Sequence, residues 1–217
     1  SNLNIVNYFE LKPGSKVIHL VLQSNSQEAN LQFSTHVNSY ASSEFRQLIF
    51  NISSSSIRNH HYADLIGQNA FVDFKGVFFA SRNQIIDNKT HINHIKPNCN
   101  SNQTYKAILT EKSNASYLSK TFVDKKAQKT EAYQLSKGIL LSSDAFFHSK
   151  PELKIFADDV KCSHGSTSGN LDKDSIYYLM TRGLSQKESS KLLINGFLNE
   201  VVDSIKSNSI RNFIKTK

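Results

Sequence analysis

Between residues 17 and 141 the chain runs as one short apolar segment after another, each cut off by a polar turn, with no useful helical period anywhere in that span. The runs at 17–22, 31–37, 45–52, 70–74, 77–80, 105–109 and 139–141 are rich in β-branched and aromatic residues and read as strands. Leu31-Gln32-Phe33-Ser34 and Phe71-Val72-Asp73-Phe74 put successive side chains on opposite faces. The stretches 23–30 and 98–103, rich in Asn and Ser, read as turns. Many short strands without intervening helices leave a sandwich, a barrel or a β-helix. Periodicity does not separate these, and the spacing between runs is too irregular to establish a repeat. A β-helix tolerates such irregularity, because each strand of a rung needs only one or two inward apolar side chains.

The pattern changes near Leu171. Asp172 is placed to cap a helix through Ile176-Tyr177-Tyr178-Leu179-Met180, and Gly183 to end it. Ser185 followed by Glu188 is a capping box opening a second helix. That helix carries Leu193, Phe197, Val201 and Ile205 at four-residue steps, with Ile194, Leu198 and Val202 beside them. The stripe is wide enough to serve as ordinary core or to leave part of itself for a partner. Two domains are therefore expected, strand-rich over 1–168 and helical over 169–217.

Charge and composition exclude more than they assign. The net charge is +8 with an isoelectric point near 9.4, which could draw a chain to nucleic acid. The densest basic stretch, however, is only Lys125-Lys126 with Lys129, flanked by Asp124 and Glu131. No basic block or stripe marks a nucleic-acid interface, and none is expected. Fourteen Phe and eight Tyr supply core anchors in a chain that is 38% hydrophobic. Two cysteines, Cys99 and Cys162, are too few for a disulfide framework and suit a reducing compartment. Asn-x-Ser/Thr sequons at Asn51, Asn88, Asn102 and Asn114 are what a chain so rich in Asn and Ser contains by chance. No apolar stretch approaches a membrane span, and no signal peptide opens the chain. The first residue is Ser, so the chain reads as a fragment lacking an N-terminal region.

Few residues are placed for chemistry. His91-x-x-His94 has ligand-like spacing with Cys99 nearby, but on a strand its two imidazoles would face opposite ways. His60-His61 is a weaker pair. Cys162 and His164 are two residues apart, so an extended segment turns both toward one side, where they could share a metal or act as thiol and base. A nucleophilic pair would need an orienting group and an oxyanion site, and no nucleophile elbow is present. No Walker A loop, dinucleotide fingerprint or kinase signature occurs, so the chain itself is not expected to hydrolyse ATP.

Taken as a continuous string, residues 127–202 resemble the SufB/SufD family. Ala127-Gln128-Lys129-Thr130 with Ala132 and Gln134, then Leu140-Leu141-Ser142, then Pro151-Glu152-Leu153-Lys154-Ile155 follow the family's order. The hallmark Asp158-Asp159-Val160-Lys161-Cys162-Ser163-His164-Gly165 comes next, followed by Thr167, Gly169, Leu171 and Asp172. Tyr178-Leu179, Arg182-Gly183 and Gly196-Phe197 complete the string, and residues 85–106 are similar to the family's His-rich turn and Gln-x-Tyr-Lys strand. Lys-Cys-Ser-His-Gly is similar to the SufD side of the family. Lys154, Ser168 and Gly138 depart from the common pattern, and residues 1–84 carry little of it.

The resemblance implies a right-handed parallel β-helix followed by a small helical domain. It implies a non-catalytic scaffold for iron–sulfur cluster assembly that pairs with a SufB-like subunit. The helical domain would dock a SufC-like ABC-type ATPase through Tyr178, Arg182, Gly183 and Phe197. His164 and Cys162 would lie at the subunit interface and could ligate iron, with a transient iron–sulfur cluster as cargo and no tightly bound cofactor. The compartment would be a bacterial cytoplasm or a plastid-type organelle, with neither nucleic acid nor membrane as partner. Two other readings compete: a β-helix enzyme acting on polysaccharide, for which Asp158-Asp159 is the only adjacent acidic pair, and a homodimeric interaction module without a cluster role.

Overall fold

The computed structural model describes residues 2–24, 30–52, 56–203, 208, 211 and 212. By internal contacts the chain divides into two compact units, Ser1–Ser168 and Gly169–Lys217.

The first unit holds twelve strands among the described residues: β1 (Asn2–Leu11), β2 (Lys16–Gln23), β3 (Asn30–Ser39), β4 (Glu44–Asn51), β5 (Ser56–Leu65), β6 (Phe71–Ala80), β7 (Ile85–His94), β8 (Asn100–Leu109), β9 (Asn114–Val123), β10 (Thr130–Leu140), β11 (Phe146–Ile155) and β12 (Val160–Gly169). Odd-numbered strands form one six-stranded sheet in chain order, and even-numbered strands form the other. Every pairing whose register is defined is parallel, as in Asn2↔Asn30, Ile57↔Ile86 and Phe71↔Asn100. Each rung thus contributes one strand to each sheet, and the unit is a parallel β-helix. The repeat not visible in the sequence is present in space. Asn30 lies opposite Ser56 while Asn114 lies opposite Phe146, so the number of residues per rung changes from turn to turn.

The sheets face each other over an apolar core that includes Phe33, Phe45, Ile49, Leu65, Val72, Phe74, Phe78, Ile86 and Ile92. Tyr105 and Tyr117 stack across it with ring centroids 4.3 Å apart, and Phe78 stacks on Tyr105 at 5.8 Å. Burying such rings contributes roughly 1.5–3 kcal/mol each. Many inward positions are nevertheless polar. Asn59 and Asn88 stack in register within one sheet and share an amide hydrogen bond of 2.9 Å, and Gln23 of the facing sheet donates to Asn59 at 2.8 Å.

One corner of the coil is built the same way in five successive rungs. Gly14, Ser42, Asn69, Asn98 and Lys129 all adopt positive φ, the left-handed conformation that turns a chain sharply. The amide of each donates to a carbonyl of the next rung: Gly14 to Ala41, Ser42 to Gln68, Asn69 to Pro97, Asn98 to Gln128 and Lys129 to Asp159. This continuous spine keeps the corners stacked, although only one of the five positions is glycine.

In the second unit α1 (Lys173–Thr181) is capped by Asp172, whose side chain accepts from the amides of Asp174 and Ser175. It ends in a Schellman turn, in which Leu184 N–H donates to Leu179 O and Gly183 N–H to Met180 O, with Gly183 at φ +94°. The second helix, α2 (Gln186–Val202), opens on the expected capping box of Ser185 and Glu188. Val201 and Val202 of the apolar stripe are buried, while Leu193, Ile194, Phe197 and Leu198 are half-buried. Ile205 lies outside the described residues, as does most of the turn expected over 23–30.

Candidate functional site

The hallmark segment forms the last corner and the last strand of the β-helix. Asp158 and Asp159 are not on a strand: they bend the chain between β11 and β12. Asp159 is held by its backbone, its N–H donating to Gln128 Oε1 (2.9 Å) and its carbonyl accepting from Lys129 N–H (2.6 Å). Asp159 therefore closes the corner spine through its backbone.

β12 lies beside β10 at an offset of 30 residues, marked by Lys161–Glu131 on the outer side (3.0 Å) and Ser136–Ser166 on the inner side (3.1 Å). The same offset sets Cys162 beside Ala132 and His164 beside Gln134. Ala132, Gln134 and Ser136 are all buried inward positions, so Cys162, His164 and Ser166 occupy the inward row of β12, with about 6.6 Å between successive members. Among the described residues no strand pairs with the far edge of β12 or of β11. Their inward side chains therefore face an open end, which explains why His164 is exposed and Cys162 is only half-buried.

Cys162 packs beside Val160 against Val123, Ala127 and Ala157. Burial raises its thiol pKa, and a backbone hydrogen bond at Ala132 opposes that shift. The row stands on polar groups. Gln134 Nε2 donates to Thr121 Oγ1 (2.7 Å), and Gln134 Oε1 accepts from Ser119 Oγ (3.1 Å). Ser136 Oγ donates to Ser166 Oγ and lies 2.5 Å from Ser149 Oγ. Sequence reading missed this hydroxyl group; its signal was Ser166 standing two residues beyond His164 on the same strand face.

The other candidate pairs do not converge. The stretch expected as a His-rich turn is strand β7, and its two histidines face opposite sides. His91 stands on the outer surface in a row with Tyr8, His36 and Tyr62, the first three rings stacked at centroid separations of 4.9 Å. His94 points into the core, fully buried and bonded through Nε2 to Ser101 Oγ (2.8 Å), with its pKa lowered by burial to about 4. Cys99 is a buried corner residue bonded to Gly67 O at 3.2 Å. His60 and His61 likewise part, His61 inward with a pKa lowered by burial to about 3. No group of three or more His, Cys, Asp or Glu is arranged to hold a metal ion among the described residues. Cys162 and His164 therefore offer two soft or borderline donors at an open end.

In the helical unit Tyr178 is exposed, and the Arg182 guanidinium lies over its ring at 5.3 Å. Gly183 completes the Schellman turn beside them, and Phe197 is half-buried on α2. No helix among the described residues is long and apolar enough to cross a membrane.

Comparison with known proteins gives this geometry a family. Residues 2–197 match the model of the SUF system FeS cluster assembly SufBD core domain. The chain is 30% identical to the iron–sulfur cluster assembly protein SufD of Escherichia coli over 162 residues, which cover 75% of this chain and 38% of that protein. It is 31% identical over 212 residues to an iron–sulfur cluster assembly SufBD family protein of Synechocystis, covering 98% of this chain and 47% of the relative. A chloroplastic protein of Arabidopsis thaliana, ABCI7, is 28% identical over 204 residues, covering 93% and 43%. The chain thus spans less than half the length of each of these relatives. A match over nearly the whole chain, carried on a parallel β-helix of the expected class, makes this chain a member of the SufBD family of iron–sulfur cluster assembly proteins.

Proposed function

We propose that the chain is a non-enzymatic scaffold subunit on the SufD side of this family, which pairs with a SufB-like subunit and binds a SufC-like ATPase. The observation that carries this reading is the inward row of β12. A thiol and an imidazole stand on one face of an edge strand, at an end of the β-helix where, among the described residues, both sheets have an unpaired strand. An unpaired strand edge is a template for a second chain. A partner seated there would cover Cys162 and His164 and bring its own ligands to them, which suits a site this chain does not complete by itself. Iron would be cargo, held by the Cys162 thiolate and the neutral His164 imidazole; both groups must lack a proton to ligate.

The helical unit is the proposed seat of the ATPase, with Tyr178 and Arg182 as an aromatic and cationic anchor of the kind that dominates interfaces. Bacterial and chloroplastic relatives favour a bacterial cytoplasm or a plastid as the compartment. Asp158-Asp159 lies in a corner, with Asp159 held through its backbone, and not on neighbouring strands where a polysaccharide-active pair of carboxylates is expected.

Co-expression with SufB and SufC homologues tests the reading. One stable complex containing all three chains is expected on size exclusion. Elution of this chain alone, beside an intact complex of the other two, would sink the assignment.

A further inference from the structure

Three serines lie on three different strands at the open end: Ser149 on β11, Ser136 on β10 and Ser166 on β12. Ser136 is buried and bridges the other two, 2.5 Å from Ser149 Oγ and 3.1 Å from Ser166 Oγ. A hydroxyl has one proton to give. Ser136 donates to Ser166, so the short contact with Ser149 is one in which Ser149 donates to Ser136. The chain of donors then runs Ser149 to Ser136 to Ser166, and each bond polarises the next in the same direction. Ser166 receives this hydrogen bond and is exposed, so its own O–H can turn outward. It stands on the inward row of β12, the next member after His164.

We propose that Ser166 is a third residue of the open-end site and donates a hydrogen bond to a sulfur of the iron–sulfur species held beside Cys162 and His164. This rests on the cluster-scaffold reading above. A cluster's bridging sulfides and ligating thiolates carry negative charge and accept hydrogen bonds. Such bonds favour the more reduced state and so help to set the reduction potential. Ser166 alone would be an exposed hydroxyl free to rotate. Buried Ser136, braced by half-buried Ser149, fixes its oxygen from behind and leaves the proton as the part that faces the open end.

The test uses the complete complex with its SUF partners, reconstituted with ferrous iron and sulfide. Ser166→Ala should shift the cluster's reduction potential to a more negative value and alter its iron–sulfur stretching frequencies, and Ser166→Thr should restore both. Ser136→Ala keeps the Ser166 hydroxyl but loosens it, and should give a smaller shift in the same direction. A Ser166→Ala complex with wild-type yield, potential and vibrational spectrum overturns the proposal while leaving the roles of Cys162 and His164 standing. If Ser166→Ala abolishes the cluster, rescue by Thr supports the hydroxyl's role, and failure of that rescue overturns it. A His164→Ala complex with undiminished cluster yield removes the reading beneath it, whatever Ser166 does.

Discussion

The amide of Lys129 donates to the carbonyl of Asp159 at 2.6 Å, joining the last corner of the β-helix to the one before it. Lys129 belongs to the family's Ala-Gln-Lys-Thr string and Asp159 to its Asp-Asp-Val-Lys-Cys string. Two motifs far apart in sequence thus meet corner against corner, and the second leads directly into the strand that carries Cys162 and His164. Asp159 shapes the backbone that leads to the proposed site, and Cys162 and His164 follow it three and five residues further on.

The corner geometry predicts where the coil tolerates no added atom. A Cβ on Gly67 would lie 2.0 Å from the backbone nitrogen of Ala41 in the neighbouring rung, and a backbone atom cannot swing aside. Gly67→Ala should destabilise the β-helix by about 1–3 kcal/mol or more, measured by urea unfolding. Gly14→Ala meets no atom within 4 Å and should cost only the strain of positive φ, about 1–2 kcal/mol. Equal stabilities for Gly67→Ala and wild type would contradict this packing.

Two core histidines make the fold sensitive to acid. His61 and His94 are buried, and burial lowers their pKa values to about 3 and about 4, against 6.5 when unfolded. Between those limits the unfolded chain takes up protons that the folded chain refuses. Stability is therefore intact above pH 6.5 and falls as pH drops toward 4, by up to about 1.4 kcal/mol per pH unit for each histidine. Urea midpoints at pH 7 and pH 5 check this, and His94→Gln should flatten the dependence.

How much of this could be read in advance depends on what faces inward. Strands β2, β3, β4, β6 and β8 were legible because Val17 and Val21, Phe33, Phe45, Val72 and Phe74, and Tyr105 mark their inward rows. Strands β5, β7 and β9 were not: their inward rows include Asn59, His61, Asn88, Thr90, Ser119 and Thr121. Polar ladders satisfied by stacked rungs erase the alternation of apolar and polar residues on which strand recognition depends. The repeat escaped for a second reason, since rung length varies while the corner spine uses only backbone atoms and accepts Gly, Ser, Asn or Lys. Cys162 and His164 were legible as a same-face pair from their spacing. That the face is the open inside of the last rung follows only from strand order.

The thiols should differ in reactivity. Burial raises the pKa of both Cys99 and Cys162, and Cys162 is the more accessible of the two. Alkylation by iodoacetamide at pH 7 should label Cys162 more slowly than a free thiol and leave Cys99 unlabelled until denaturant is added. Fast labelling of Cys99 in the native protein would contradict its placement in the core.

Binding of the proposed ATPase partner should separate from formation of the β-helix. Tyr178→Ala and Arg182→Ala remove the exposed cation–aromatic pair and should each weaken binding of the SufC-like partner about tenfold, consistent with interface anchors of this type. Titration calorimetry measures the loss, and the β-sheet signal in circular dichroism should not change. Full affinity in both variants would move the contact elsewhere.

The central claim is that the inward row of the last strand builds the cluster, and His164→Ala tests it most directly. The complex of this chain with its SufB-like and SufC-like partners is reconstituted with iron and sulfide, and cluster yield is read from visible absorption. The account predicts a complex that elutes as wild type with its cluster absorption largely lost; undiminished absorption would contradict it.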